Sequence, residues 1–194
     1  MKIKCCVLKI SVDGIMPEIW RRIAVPSDIT LDRLHDILQI VMGWEDYHQH
    51  EFTVGGQRYT EKPESPEDGK EEGRFRLGEL VNQENAVFEY LYDFGDSWLH
   101  HITLENKNYV PGPGERIIQF LAGRRTCPPE DVGGVSGYYK FCEDIRDSEH
   151  PVYSQYAKEH GKIYDPEIFD WRLIEMELWK YTRWSRIRQI KWEI

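Results

Sequence analysis

Side chains that can do chemistry are concentrated in the segment 90–101, whose sequence is YLYDFGDSWLHH. Asp93 and Asp96 fall in a tight turn between two β-rich runs, and Trp98 and His100 follow in the second run. Imidazoles and carboxylates bind Zn, Fe or Mn in proteins, and the same groups exchange protons in acid–base catalysis. We therefore take this segment as the centre of a candidate polar site.

Strand periodicity connects this segment to an earlier pair of histidines. Side chains two residues apart lie on the same face of a strand, so His100 shares the more apolar, core-facing side of its strand with Trp98. By the same rule, His48 and His50 share one face of an earlier strand. If these two strands are neighbours in the sheet, the three imidazoles converge at one end of it, near the Asp93–Asp96 turn.

Three interpretations of this cluster are open. Buried imidazoles need polar partners, so the groups can simply hydrogen-bond to one another and join the sheet to its loops. They can also hold a divalent metal, for which the candidate ligands are His48, His50 and His100, although the sequence does not favour this cofactor. Thirdly, a His–carboxylate pair can bind a ligand or act in acid–base catalysis.

The segment 127–134, with the sequence CPPEDVGG, adds a third polar element. Cys127 would need a lowered thiol pKa to act as a nucleophile, which two preceding arginines favour and the following acids oppose. We therefore regard Cys127, Glu130 and Asp131 as candidate residues of the polar site and not as a catalytic thiol centre.

Composition restricts the class of protein. The chain has 194 residues, of which 40% are hydrophobic and 13% aromatic, so a globular fold with a substantial core is expected. A net charge of −9 argues against nucleic-acid binding over the whole surface. No apolar run approaches the roughly 18 residues of a membrane-spanning helix, and the early charges are unlike a signal peptide. The four cysteines follow no disulfide or zinc-ribbon spacing, so we expect a cytoplasmic protein without membrane association.

Hydrophobic periodicity indicates the α+β class. The expected strands cover 3–12, 18–25, 48–54, 86–92 and 97–105, and the expected helices cover 30–42, 135–146, 151–159 and a segment that starts near 166. These elements should form a mixed, largely antiparallel sheet with helices packed on one face, and a β-grasp-like arrangement is a variant. His35 lies beside the apolar stripe of the first helix and is expected to be a partly covered surface residue.

The chain is expected to form one domain over 1–170, with an exposed loop at about 61–74, followed by an extension over 171–194. The extension holds four of the seven tryptophans, together with six Lys or Arg residues and three Asp or Glu residues. The favoured prediction is a helix with its aromatic side packed on the domain and its basic face in solvent. Alternatively, these side chains bind a protein partner, mediate self-association or stack on nucleic-acid bases. We expect nucleic-acid binding nowhere else in the chain.

Several short motifs, in this order, resemble the plasmid pRiA4b ORF-3-like family, which also carries the label of an insertion-element passenger protein, TnpR. The matching pieces are IWRR at 19–22, the helix and MGW at 31–44, HQHEF at 48–52, YDFGDSW at 92–98 with His100, and CPPED at 127–131 with the following glycines. The resemblance covers about residues 1–170. It implies an α+β domain associated with plasmids and mobile elements, and it assigns no activity.

This chain departs from the family pattern at two places. Many members have a second cysteine a few residues before the CPPED motif, whereas Phe120 stands near that position here. The resemblance therefore implies no metal or disulfide role for such a pair, and the ending after Trp171 also differs.

We expect a binding or interaction domain. The alternative is a metal-dependent or acid–base enzyme that uses His48, His50, Asp93, Asp96 and His100.

Overall fold

The structure, a computed structural model, describes residues 4–161 and 163–187, without the side chains of residues 184–187. Trp192 and the side chain of Trp184, both part of the predicted extension, therefore lie outside the described residues. The described chain has the α+β fold that the sequence predicts, with five α-helices and one eight-stranded sheet.

The sheet is mixed and largely antiparallel, as predicted. Its strands are β1 (Cys5–Val12), β2 (Trp20–Pro26), β3 (His50–Val54), β4 (Gln57–Thr60), β5 (Lys70–Glu71), β6 (Val87–Tyr92), β7 (Trp98–Tyr109) and β8 (Gln119–Arg124). Their order across the sheet is β5-β4-β3-β6-β7-β1-β2-β8, and among these strands only the short β4–β5 pair is parallel. The long β7 lies near the middle and pairs with both β6 and β1.

Strand β8 was not predicted from the sequence. The run 117–121 is short and contains Gln119, and the strand extends from Gln119 through Gly123 to Arg124. It pairs antiparallel with β2, where Trp20 lies opposite Arg124. This strand thus forms because it pairs with the edge of β2, and not because polar and apolar residues alternate in its own sequence.

The helices are α1 (Leu31–Met42), α2 (Leu77–Leu80), α3 (Gly134–Asp144), α4 (Pro151–His160) and α5 (Trp171–Ile187). Helix α1 packs its apolar stripe into the core, since Leu34, Ile37 and Val41 are completely buried. It ends at Gly43, whose φ of 85° lies in the left-handed region.

Helix α5 begins later than expected and packs on the rest of the chain. Asp170 accepts a hydrogen bond from the Arg172 amide at 3.0 Å, so the helix starts after this cap and not near residue 166. Ile174 and Leu178 are buried, and the Tyr181 hydroxyl donates to α1. Among residues 4–161 and 163–187, no helix combines the length and apolar character needed to cross a membrane.

Strand β6 places an aromatic row between the two histidine-bearing strands. Tyr90 and Tyr92 are fully buried on its inner face. Tyr92 lies opposite His50 of β3, and Tyr90 lies opposite His100 of β7. His50 and His100 therefore share a face but stand two strand spacings apart, roughly 10 Å.

A buried arginine joins α1 to the β2–β8 edge. Arg21 is 1% exposed, and its guanidinium donates to the carbonyl oxygens of Val41 at 2.8 Å, Trp20 at 2.8 Å and Arg124 at 2.9 Å. The same group lies 3.0 Å from the Cys127 sulfur. One side chain thus satisfies acceptors from a helix end, two strands and a loop.

We expect Arg21→Met to lower the free energy of unfolding by about 2–3 kcal/mol, because buried acceptors lose their donors. Urea denaturation followed by circular dichroism measures the change. The matched control is Arg22→Met on the other face of β2, where the partly exposed Arg22–Glu105 ion pair contributes less than about 1 kcal/mol. Equal losses in the two variants would contradict the role assigned to Arg21.

Candidate functional site

A cleft of about 890 Å³ lies between α1, the β3–β4 hairpin and the segment 61–72. Its volume is within the range of small-molecule sites. The cleft contains His35, His48 and His50. Its acidic side chains are Asp32, Asp36, Asp46, Glu61, Glu64, Asp68 and Glu72.

Two stacked imidazoles form the floor of the cleft. The rings of His35 and His50 lie 3.5 Å apart between centroids, with an angle of only 4° between their planes. His35 comes from α1 and His50 from the first position of β3, and both residues are buried. The stack therefore joins the helix to the sheet directly beneath the cleft.

The first imidazole belongs to a closed ring of hydrogen bonds. His35 Nδ1 lies 2.8 Å from the Tyr90 hydroxyl and its Nε2 lies 2.9 Å from Asp46 Oδ1. Gln39 donates through its Nε2 to the same hydroxyl at 2.9 Å and accepts through its Oε1 from the Asp46 amide at 3.1 Å. Because a carboxylate only accepts, His35 carries its proton on Nε2 and accepts from Tyr90 at Nδ1.

The second imidazole is held by a buried carboxylate. His50 Nε2 lies 3.0 Å from both oxygens of Glu72, and Glu72 is only 2% exposed. Glu72 begins a 3₁₀ turn, Glu72–Arg74, that packs on α1. Within the segment 61–74, which the sequence predicts to be exposed, this carboxylate therefore points into the core and pairs with a buried partner.

A second polar cluster lies at the other end of the cleft, around His48. Its Nε2 atom lies 3.1 Å from Asp131 Oδ1 and 3.8 Å from Asp93 Oδ2. Asp93 follows β6 directly, and its Oδ1 accepts from the Gly95 amide at 2.9 Å. Three segments that are distant in sequence supply these side chains.

The turn after β6 and the CPPED loop are joined by direct hydrogen bonds. Asp96 Oδ2 accepts from the Gly133 amide at 2.9 Å at the start of α3. A side chain at Gly134 would place its Cβ 2.6 Å from the Asp96 carbonyl oxygen, so this close approach requires glycine. On the other side of the loop, Trp44 Nε1 donates to the Pro128 carbonyl at 3.0 Å.

Glu130 is fixed on the same loop. Its Oε1 accepts from the Glu45 amide at 2.9 Å and from the Tyr92 hydroxyl at 3.1 Å. Its Oε2 is buried without a hydrogen-bond partner among the described residues. Burial is the main cause that raises the pKa of Glu130 above its usual value.

Three candidate residues lie in the core and not at the cleft. Trp98 and His100 are completely buried, and His100 Nδ1 contacts the Tyr90 carbonyl at 3.2 Å. Cys127 packs between Arg21 and Met42, and burial raises its thiol pKa although the guanidinium opposes this. The structure therefore does not bring His100 to His48 and His50, because β6 separates the strands.

Sequence reasoning missed the site residues His35 and Asp46, and only His35 had a signal that predicts its position. His35 is 4% exposed, and its position four residues after Leu31 and three before Leu38 puts it within the apolar stripe of α1. A histidine in such a stripe should have been expected to be buried. Asp46 follows a helix end at turn spacing, which gives no comparable signal.

Burial also shifts the proton affinities of these groups. It lowers the pKa of His35 to about 4, with the neighbouring His50 adding to the effect, and it lowers the pKa of His100 to about 4. Burial raises the pKa of Asp36 to about 6, although the hydrogen bond from Tyr181 opposes the shift. The imidazole of His35 is therefore neutral near pH 7.

Comparisons with known proteins agree with this architecture. A family model described as "plasmid pRiA4b ORF-3-like protein" matches residues 4–173. The "uncharacterized protein y4hQ" of Sinorhizobium fredii (strain NBRC 101917 / NGR234) is 39% identical over 150 residues, which is 76% of each chain. The crystal structure of the protein of unknown function MM3350 from Methanosarcina mazei Go1 is similar with a TM-score of 0.76 and 38% identity, covering 88% of this chain and 97% of that one.

The free energy of unfolding should fall as the pH decreases from about 6.5 to about 4. In this window the unfolded chain binds protons at His35 and His100 that the folded chain excludes, because both pKa values are lowered to about 4. Asp36 opposes this below about pH 6, because its raised pKa lets the folded chain keep a proton that the unfolded chain releases. Urea denaturation at several pH values measures the net loss.

Two variants separate these contributions. Asp36→Asn removes the opposing group, so its stability should fall more steeply with decreasing pH than that of the unmodified protein. Glu79→Gln, an exposed change in α2, should follow the unmodified protein. A shallower slope in Asp36→Asn would show that the shift of Asp36 has the opposite sign.

Proposed function

We propose that this chain, which belongs to the plasmid pRiA4b ORF-3-like family, is a binding domain whose acidic cleft takes a ligand with an ammonium or guanidinium group. The observation that carries the proposal is the charge of the cleft. Seven carboxylates line it, against two cationic side chains, Arg58 and Lys62.

Neither of these cationic side chains is available to neutralise the rest of the cleft. Arg58 pairs with Glu51 at 2.6 Å, and Lys62 pairs with Glu61 at 2.9 Å. A concave surface lined by one sign of charge concentrates its potential and raises the local concentration of ligands of the opposite sign. A small organic cation therefore fits this cleft better than an anion or an apolar ligand.

The histidine pair supports binding rather than acid–base catalysis at the cleft floor. Both ring nitrogens of His35 are engaged, by Tyr90 and by Asp46, so this imidazole has no free nitrogen for a substrate. Nε2 of His50 is engaged by Glu72. The pair instead supplies a rigid floor beneath the carboxylates that line the cleft.

We further propose the domain division and the location that the sequence predicts. The family match to residue 173 supports a domain over about 1–170, with the α5 region as an extension that packs on it through Ile174 and Leu178. The described cysteines are free thiols, and three of the four are buried, which supports a reducing compartment such as the cytoplasm.

Isothermal titration calorimetry with arginine amide, N-acetylated so that the guanidinium is its only charge, tests the binding proposal. We expect measurable binding that weakens with added salt, and little binding of citrulline amide, likewise N-acetylated, which has nearly the same shape without a charge. The double variant Asp32→Asn/Glu64→Gln removes two exposed carboxylates of the cleft and should weaken binding about three- to tenfold.

The matched control is Glu79→Gln/Glu89→Gln, which removes the same amount of charge at exposed positions that do not line the cleft. This variant should bind arginine amide like the unmodified protein. Equal affinity for arginine amide and citrulline amide would overturn the proposal, because the charge of the ligand would then not be recognised.

A further inference from the structure

We infer that His48, Asp93 and Asp131 form a binding site for a divalent transition metal. This site lies beside the acidic cleft and goes beyond the organic-cation binding proposed above. It is built from one imidazole nitrogen and two carboxylate oxygens, a ligand set that suits Zn²⁺ or Mn²⁺.

The distances place the three ligand atoms around a common point. His48 Nε2 lies 3.1 Å from Asp131 Oδ1 and 3.8 Å from Asp93 Oδ2, and all three atoms lie within 4.8 Å of one another. Metal–ligand bonds of about 2.0–2.2 Å require neighbouring ligand atoms to lie roughly 3–4 Å apart. Only small side-chain movements therefore separate this arrangement from a coordination shell.

The hydrogen bonding of these atoms is incomplete in a way that points to a ligand. His48 Nε2 is buried and has no hydrogen-bond partner among the described residues, although Asp131 is close, because the contact lacks hydrogen-bond geometry. Asp93 is 6% exposed and accepts a hydrogen bond at Oδ1 from the Gly95 amide, while its Oδ2 lies 3.8 Å from His48 Nε2. A buried nitrogen without a hydrogen-bond partner thus lies close to an oxygen of a buried carboxylate side chain.

A second set of possible ligands, His35, Asp46 and His50, is less suitable. Its atoms also lie within 4.8 Å of one another. The two rings are parallel to within 4°, however, so their in-plane lone pairs run side by side and do not converge on one ion. Nε2 of His35 is in addition hydrogen-bonded to Asp46, and Nε2 of His50 to Glu72.

Charge and coordination number indicate what the bound ion would do. Two carboxylates balance the charge of a divalent cation, which removes the repulsion between Asp93 and Asp131. Three protein ligands leave at least one coordination position for water or a ligand atom from the cleft, in which His48 is a lining residue. Because Zn²⁺ binds more tightly than Mn²⁺ to most such sites, we expect zinc to be preferred.

The test is calorimetric titration of the tag-free, chelator-treated protein with ZnCl₂ and with MnCl₂. We expect one Zn²⁺ per chain and weaker binding of Mn²⁺. Asp131→Asn and His48→Gln should each weaken Zn²⁺ binding at least about tenfold, because each removes a direct ligand. Asp131 has a side chain that is 73% exposed, so its variant should fold normally, which the thermal unfolding midpoint checks.

The matched control is His101→Gln. His101 forms a second, more exposed His–Asp pair with Asp13, at 3.4 Å, on another part of the surface. This variant should bind Zn²⁺ like the unmodified protein. Absence of binding in the unmodified protein, or unchanged binding in both Asp131→Asn and His48→Gln, would overturn the metal site, as would a loss caused only by His50→Gln.

The same variants distinguish this site from the organic-cation site. Asp131 does not line the cleft, so Asp131→Asn should lose zinc binding while its affinity for arginine amide stays the same. The double variant Asp32→Asn/Glu64→Gln should show the reverse pattern. If zinc binds as expected and arginine amide does not, the metal site stands and the proposed function fails.

Discussion

A buried hydroxyl supplies polar contacts between the first helix and the sheet in this protein. Tyr90 is 0% exposed, and its OH both donates to His35 and accepts from Gln39, two residues one turn apart on α1. The burial of the apolar stripe sets the rotation of α1 on the sheet, and an unsatisfied hydroxyl at this depth would cost about 1–3 kcal/mol, so the polar contacts add to that preference. The orientation of His35, and with it the ring stack and the cleft floor, follows from that rotation.

The sheet register then divides the polar residues into separate groups. Strand β6 carries no histidine, and its tyrosines separate His50 of β3 from His100 of β7. His100 becomes part of the core, where burial keeps it neutral. His48, which precedes β3, is free of the sheet and turns towards the loops. His48 and His50 are thus only two residues apart in sequence, yet His50 belongs to the rigid floor of the cleft and His48 to a cluster formed by loops.

The sequence predicted those features that depend on local patterns. The α+β class, the first two strands and the α1 stripe follow from periodicity, and the polar character of the turn after β6 follows from residue types. It did not predict β8, because a strand with Gly123 is held by its neighbour β2 rather than by its own composition. It also missed the burial of Glu72, since a charged residue in a Pro-, Glu- and Gly-rich segment becomes buried only when a partner such as His50 is already in place.

The three imidazoles would converge only if their strands were neighbours, and β6 lies between β3 and β7. Parity gives the face of a strand but not which strands are neighbours. Two of the family motifs, YDFGDSW and CPPED with its following glycines, in contrast contact each other directly. Asp96 of the first binds the Gly133 amide of the second, and Gly134 allows their backbones to meet. This contact acts together with the hydrogen bonds that Glu130 accepts from Glu45 and Tyr92 to hold the loop on both sides of Asp131. The spacing of these motifs therefore has a structural explanation: it places anchors next to Asp131 that orient its carboxylate towards the imidazole of His48.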